Sequence, residues 1–247
     1  MRYFIDLSYF GKAYHGWQIQ PNAISVQEVL EKNLSRLFPS TIEVVGAGRT
    51  DAGVHAKQLF AHFDTEQDFD LQELKYKLNT MLPKDIAISD IFEVKADVHA
   101  RFDAISRSYE YHIIQKKDAF MADFAWALYQ DLDFIKMNQA AEILKEYTNF
   151  KCFSRSRTDV KTYNCRIDLA EWKRGENTLV FYIKADRFLR NMVRAIVGTL
   201  IEIGQSKYPV SHMHKVIKSE DRGMAGASVP AHGLYLTKIE YPKNIRI

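Results

Sequence analysis

The chain has 247 residues, 47% of them hydrophobic, enough for one large domain or two of ordinary size to close around a substantial core. Glycine (11) and proline (6) are scarce, no stretch reaches the roughly 18 consecutive apolar residues of a membrane span, and the N-terminal MRYFIDLSYF lacks the small-residue cleavage pattern of a signal peptide, so a cytoplasmic protein without a membrane partner is expected. The formal net charge is only +3, a mild attraction for polyanions at most, which puts the weight of any nucleic-acid binding on local clusters.

Tyr3–Tyr9 reads as a first strand. Val26–Phe38 follows as a helix with Val26, Val29, Leu30, Leu34, Leu37 and Phe38 on one face; Ser25 is placed as its N-cap, with Glu28 completing a capping box. Strands are expected near Ile42–Gly46 and Leu59–Phe63, a helix near Leu71–Leu82 ended by Pro83, and a strand near Ile86–Val94. A second series has a strand at Ser108–Ile114, a helix at Phe134–Tyr147, strands at Arg166–Trp172 and Thr178–Ala185 and a helix at Phe188–Gly204. A short extra helix near Ser211–Ser219 and a last strand at Leu234–Tyr241 complete it. The fold expected is α+β: two tandem ferredoxin-like (β-α-β-β-α-β) halves, 1–103 and 104–247, merging into a mostly antiparallel sheet with a central catalytic cleft. The repetition is one of element order, not of residues. The join falls near Phe102–Ser106, with no proline- or glycine-rich linker.

Cys152 and Cys165 are the only cysteines and form no C-x-x-C pair, which argues against a disulfide framework and a structural zinc site. Of the histidines only His212 and His214 are close in sequence, and no acidic or cysteine partner lies nearby, so no metal site is expected.

The glycine-rich run Gly46–Ala56 (GAGRTDAGVHA), between two expected strands, lets backbone approach a ligand closely. An Asp in such a loop ordinarily caps a turn. Arg49 and Asp51, however, form an i, i+2 pair between apolar strands, a setting that can hold a carboxylate ionised and aimed into a cleft. Such a group serves as a covalent nucleophile or as a general base, and the residues alone leave both open. Arg194 lies in the apolar run Met192–Val197, where an arginine either needs a buried anion or snorkels to the surface. Arg187, Arg190 and Arg194, at i, i+3 and i+7 of the expected helix, make one basic stripe suited to phosphate. A second basic region holds Lys151, Arg155, Arg157, Lys161 and Arg166, with Phe150, Phe153 and Tyr163 interleaved: either an RNA-binding arm or a solvated loop. Tyr109, Tyr111 and Leu234 read by themselves as packed strand residues.

The GAGRTDAGVHA run resembles the signature of TruA-type pseudouridine synthases. Similar matches run in order through the chain: Tyr14-His15-Gly16-Trp17-Gln18, Ser25-Val26-Gln27-Glu28, His99-Ala100-Arg101-Phe102, Arg107-Ser108-Tyr109-Glu110-Tyr111, Asn191-Met192-Val193-Arg194 with Ile196-Val197-Gly198, and Gly233-Leu234-Tyr235-Leu236. The resemblance is nearly full length. It implies that Asp51, Tyr109 and Arg194 are catalytic: Asp51 is the nucleophile, Tyr109 stacks on the flipped uracil and can move a proton, and Arg194 orients Asp51, while Leu234 lines the uracil pocket. Arg49, His55, Arg187, Arg190, Arg155 and Arg157 are the expected RNA-contacting residues. It further implies isomerisation of uridine to pseudouridine at positions 38, 39 and 40 of the tRNA anticodon arm, by a homodimer that extrudes the base and uses no cofactor. A catalytically silent RNA-binding module and an Asp-nucleophile hydrolase are the alternatives. The first has no need of a carboxylate facing phosphates; the second requires another acid, base or metal, and the motif offers only His55. Phe10 in place of an Asp, Asp186-Arg187 before Phe188, and Lys151-Cys152 in place of Thr-Ser depart from the family pattern.

Overall fold

The computed structural model describes residues 1–155 and 160–247. In chain order its elements are β1 (Arg2–Tyr9), α1 (Val26–Leu34), β2 (Val45–Gly46), β3 (His55–Asp64), α2 (Leu71–Met81), β4 (Ile86–Val94), β5 (Ser106–Ile114), β6 (Trp126–Ala127), α3 (Phe134–Ile143), β7 (Ile167–Arg174), β8 (Thr178–Ala185), α4 (Met192–Gly204), α5 (His212–Ser219) and β9 (Leu234–Glu240). The fold is mixed α+β with mostly antiparallel pairing. Two compact units emerge: Met1–Ile105 together with Tyr235–Ile247, and Ser106–Leu234.

In the first unit β1 is central, antiparallel to both β4 and β3, and β2 pairs antiparallel with the far edge of β3. From Tyr235 on, β9 adds parallel to the start of β3, His55 opposite Tyr235 and Ala56 opposite Leu236. The face of this sheet toward the helices carries Ile5, Leu7, Leu59, Ala61 and Phe63, closed by Leu30 and Leu34 of α1 and Leu78 of α2, while Phe4 packs on the other face with Phe60, His62 and Tyr241. Both helices begin at capping side chains: Ser25 accepts the Glu28 N–H at 3.2 Å and Asp70 the Glu73 N–H at 2.7 Å.

The strand expected at Ile42–Gly46 is only two residues long, because its first part bonds to a helix instead of a sheet. Val44 donates its N–H to Glu31 Oε1 at 2.9 Å, and Ile42 donates to Ser35 Oγ at 2.9 Å. α1 stops at Leu34 and not at Phe38, the chain tightening beyond it into i→i−3 bonds, Arg36 N–H to Asn33 O at 3.3 Å and Leu37 N–H to Leu34 O at 2.8 Å. The C-terminal residues, assigned by sequence to the second half, pack on the first unit: Tyr241 donates to Ala100 O at 2.5 Å, Ile105 N–H to Glu240 O at 2.8 Å, and Arg246 pairs with Asp90 at 2.9 Å.

In the second unit β8 lies between β5 and β7, antiparallel to each, and β6 runs parallel to the end of β5. Asn138 of α3 brackets Trp172 of β7, accepting its N–H at 2.8 Å and donating to its carbonyl at 3.2 Å. Almost every residue of α4 is buried, as its apolar sequence requires. The helix begins at Met192 instead of Phe188, because Asn191 takes φ +67° in the left-handed region and the chain from Arg187 to Asn191 is irregular.

Candidate active site

The Asp51 loop joins β2 to β3 and is fixed by the turn that follows β1. Tyr9 and Thr50 share a hydroxyl–hydroxyl bond of 2.8 Å, Gly53 donates to Tyr14 O at 3.2 Å, and Val54 donates to Asp51 O at 3.1 Å. The two backbones touch where side chains would not fit: a Cβ on Gly16 would sit 2.2 Å from Thr50 O, and Gly16 has φ +86°. A Cβ on Gly11 would meet Val54 O at 2.0 Å. Asp51 is held half-buried on this frame, and Arg49 is exposed. Such a carboxylate is positioned before any substrate arrives, as either a nucleophile or a base requires.

His55 is a support of this frame and not a surface contact. It is 1% exposed, its Nδ1 accepts the Gly11 N–H at 2.9 Å, and its ring stacks on Phe10 at 4.3 Å. An accepting Nδ1 puts the proton of the neutral ring on Nε2. The Phe10 departure from the family pattern thus has a packing role: it covers this buried imidazole.

In the second unit Tyr109 lies half-buried on β5, its ring edge-on to Phe188 at 5.1 Å. Tyr111, two residues on, is 0% exposed and donates to Pro230 O at 2.8 Å; burial raises its phenol above the ordinary value. Arg194 is half-buried on the first turn of α4, and its Nε donates to Val229 O at 2.7 Å. Residues 225–230 therefore form a strap whose consecutive carbonyls serve Arg194 and Tyr111. Gly233 then nestles on Tyr111, where a Cβ would lie 2.8 Å from Cζ, and delivers Leu234, buried, to the start of β9. Sequence reading missed this strap. The run GMAGASVPAHG, rich in small residues, was the signal that something passes close.

The basic residues are arranged differently from the sequence expectation. Arg187 and Arg190 precede α4, so no helical stripe joins them to Arg194. Arg155 instead donates its N–H to Arg190 O at 3.0 Å, which brings Arg155 and Arg190 together, both exposed. Arg157 lies outside the described residues. Phe150 and Phe153 are 0% exposed and belong to the core, so they offer no stacking surface; Tyr163 is half-buried, with Lys151 5.9 Å from its ring centroid. Lys151 pairs with Glu220 at 3.4 Å and Arg166 with Asp168 at 2.9 Å. Asp186, another departure, accepts the N–H groups of Arg166 at 2.8 Å and Arg187 at 2.7 Å, which ties β7 to the end of β8. His212 stacks on Tyr208 at 4.0 Å while His214 bonds the Tyr147 hydroxyl at 2.8 Å, so the pair does not converge. Cys152 and Cys165 are buried free thiols, pushed up to about 12 by burial.

The family model for tRNA pseudouridine synthase matches residues 7–103 and 141–242. The chain is 52% identical over 247 residues to tRNA pseudouridine synthase A of Bacteroides thetaiotaomicron, covering 99% of this chain and 92% of that protein. The chain belongs to the tRNA pseudouridine synthase family. The enzyme of the same name from Bacteroides fragilis is 51% identical over 246 residues, at 99% and 98% coverage, and that of Parabacteroides distasonis 50% over 245 residues, at 99% and 97%. This is an isomerase family, and Asp51, Arg194 and Leu234 fall within the matched spans; Tyr109 falls between them. Among the described residues no helix is long and apolar enough to cross a membrane.

Proposed function

We propose that this enzyme isomerises uridine to pseudouridine at positions 38, 39 and 40 of the tRNA anticodon arm, with Asp51 as nucleophile. The observation that carries the reading is the Asp51 loop itself: a half-buried carboxylate on a loop locked by the close approach of Gly16 and Gly11. In the reaction the C1′–N1 bond breaks, a C1′–C5 bond forms, the C5 hydrogen leaves as a proton, and N1 gains one. It is redox-neutral and asks for no external oxidant or reductant, in keeping with an enzyme that uses no cofactor or metal. A covalent adduct with Asp51, at C6 of the uracil or at C1′ of the ribose, splits this exchange into two easier steps.

Tyr109 takes the role of stacking on the extruded uracil, Leu234 that of an apolar wall, and Arg194 that of serving the Asp51 carboxylate. Arg49, Arg187, Arg190, Arg155 and Arg157 are assigned to RNA phosphates. The working enzyme is a cytoplasmic homodimer of tandem ferredoxin-like halves. The strand order β4-β1-β3-β2 with two helices supports this for the first half, and the antiparallel β5-β8-β7 with α3 and α4 is in keeping with it for the second.

The test is release of tritium from tRNA labelled at uridine C5, followed by mapping of the modified positions. Wild-type enzyme releases label from positions 38–40, and Asp51→Asn releases none. Release that survives loss of Asp51, or modification confined to other stems, overturns the assignment.

A further inference from the structure

Three motifs that carry the family resemblance, Tyr14–Gln18, Ser25–Glu28 and His99–Phe102, supply no side chain to the assignment above, although Gly16 and Tyr14 O brace the Asp51 loop. Members of all three meet at one depression of about 250 Å³ in the first unit, where Trp17, Gln18, Gln27, Arg101 and Phe102 share the lining with Arg49 of the Asp51 loop. We propose that this depression is a second nucleotide subsite. It takes an RNA nucleotide flanking the reacting one, the base stacked on Phe102 and the phosphate held by Arg49 and Arg101. The proposal rests on the tRNA reading above.

Phe102 is 73% exposed, so its ring adds little to the core, and its neighbouring ring is that of His99 at 4.3 Å. The Arg101 guanidinium lies 5.6 Å from its centroid, an arrangement in which ring and cation together present a stacking face and a charge. The segment that carries both is rigid. Ala100 donates its N–H to His62 Nδ1 at 3.1 Å and accepts the Tyr241 hydroxyl at 2.5 Å. His99 Nδ1 accepts the Arg101 N–H at 3.0 Å, and Asp103 Oδ2 accepts the His99 N–H at 2.6 Å. A platform already ordered loses little freedom when a ligand arrives.

The rest of the depression suits a nucleotide. Trp17, 2% exposed, forms its floor against Gly46, where a Cβ would lie 2.3 Å from the indole nitrogen. Gly48 leaves the wall open, with nothing within 4 Å of the position of a Cβ. Gln27 is committed to structure, donating to Glu31 and to Val44 O, each at 3.0 Å, which leaves Gln18 as the exposed amide at the rim. The lining includes two arginines and no carboxylate, the balance expected for a phosphate and not for an acidic-rimmed peptide site.

The experiment is binding of a tRNA transcript across a salt series, with wild type and the variants Phe102→Ala, Phe102→Trp and Arg101→Met, each checked for an unchanged melting temperature. Phe102→Ala should weaken binding about tenfold without changing the slope of log affinity against log salt, and Phe102→Trp should restore it. Arg101→Met should weaken binding and lower that slope by about one, because one phosphate contact is lost. Wild-type affinity in Phe102→Ala, or a wild-type slope in Arg101→Met, overturns the subsite. The reading beneath it is judged separately by tritium release from the wild-type enzyme, which these affinities do not touch.

Discussion

Asp51 is the residue on which the chemistry turns, and its substitution separates chemistry from fold. Asp51→Asn keeps size and removes the nucleophilic oxygen charge; turnover should fall at least about 10³-fold, ~4 kcal/mol in barrier terms, with tRNA affinity retained. Single-turnover tritium release checks this. Arg194→Lys should also lose most activity, since a lysine cannot donate to Val229 O through Nε and present a planar fork as well. Wild-type turnover in that variant would remove Arg194 from the mechanism. A quite different residue governs acid stability. His62 is 4% exposed and accepts the Ala100 N–H, and burial, with Arg2 and His99 nearby, lowers its pKa to about 4 against a weak opposing pull from Asp64. The unfolded chain protonates this histidine near 6.5, so between there and about 4 the unfolded state binds more protons and stability falls as pH falls; above 6.5 the contribution is complete. The loss is at most about 3 kcal/mol at one unit of pKa per 1.36 kcal/mol. His99 shifts the same way and adds to the slope. Denaturation midpoints of His62→Gln should vary less across that range than those of wild type. Asp51 and Arg194 stood out in the sequence because their surroundings contradict their polarity. His55, in the same run, did not reveal its place, because a histidine that accepts a backbone N–H under a phenylalanine looks like any loop histidine until Phe10 is seen to cover it.

At the scale of elements, α4 and the strap over it form one packed device. Gly226 donates its N–H to Thr199 Oγ1 at 2.9 Å, and Arg222 ties the strap together through Gly226 O at 3.1 Å and Ser228 Oγ at 2.9 Å. A Cβ on Gly198 would lie 1.9 Å from Ala227 O, so helix and strap touch backbone to backbone. Gly198→Ala therefore gains helix propensity of up to about 1 kcal/mol and loses more through the clash, for a net destabilisation of about 1–3 kcal/mol measured by urea unfolding. Activity should fall with it, since the displaced strap carries the carbonyls that hold Arg194 and Tyr111; a more stable variant of full activity would show that the strap can move aside. The regular parts of these elements were legible. Thr178–Ala185 alternates cleanly, Ile86–Val94 is rich in β-branched residues although its alternation breaks at Asp90–Ile91, and both form as read. The start of α4 was not, because Phe188–Asn191 continues the apolar period and only the left-handed Asn191 breaks it. Nor was the shortness of β2, which depends on Glu31 and Ser35, distant side chains that take up its backbone donors.

For the molecule as a whole, 34 basic against 31 acidic side chains leave +3, too little to draw tRNA by the overall field alone. Affinity must come from where the charges are gathered. The hydrogen bond from Arg155 N–H to Arg190 O gathers two exposed arginines that are 35 residues apart in sequence (190 − 155), and Arg187 stands close by in the chain. If this group grips phosphates, the double substitution Arg155→Gln/Arg190→Gln should lower the slope of log affinity against log salt by about two, since two counterion-releasing contacts disappear. The loss should be the same on tRNAs of different stem sequence, because a phosphate contact carries no base information. Turnover at saturating tRNA should change far less, in contrast to Asp51→Asn, which keeps the slope and loses turnover. A wild-type salt slope in the double variant would make this an ordinary solvated surface and leave Arg49 and Arg101 to carry the electrostatic part of binding.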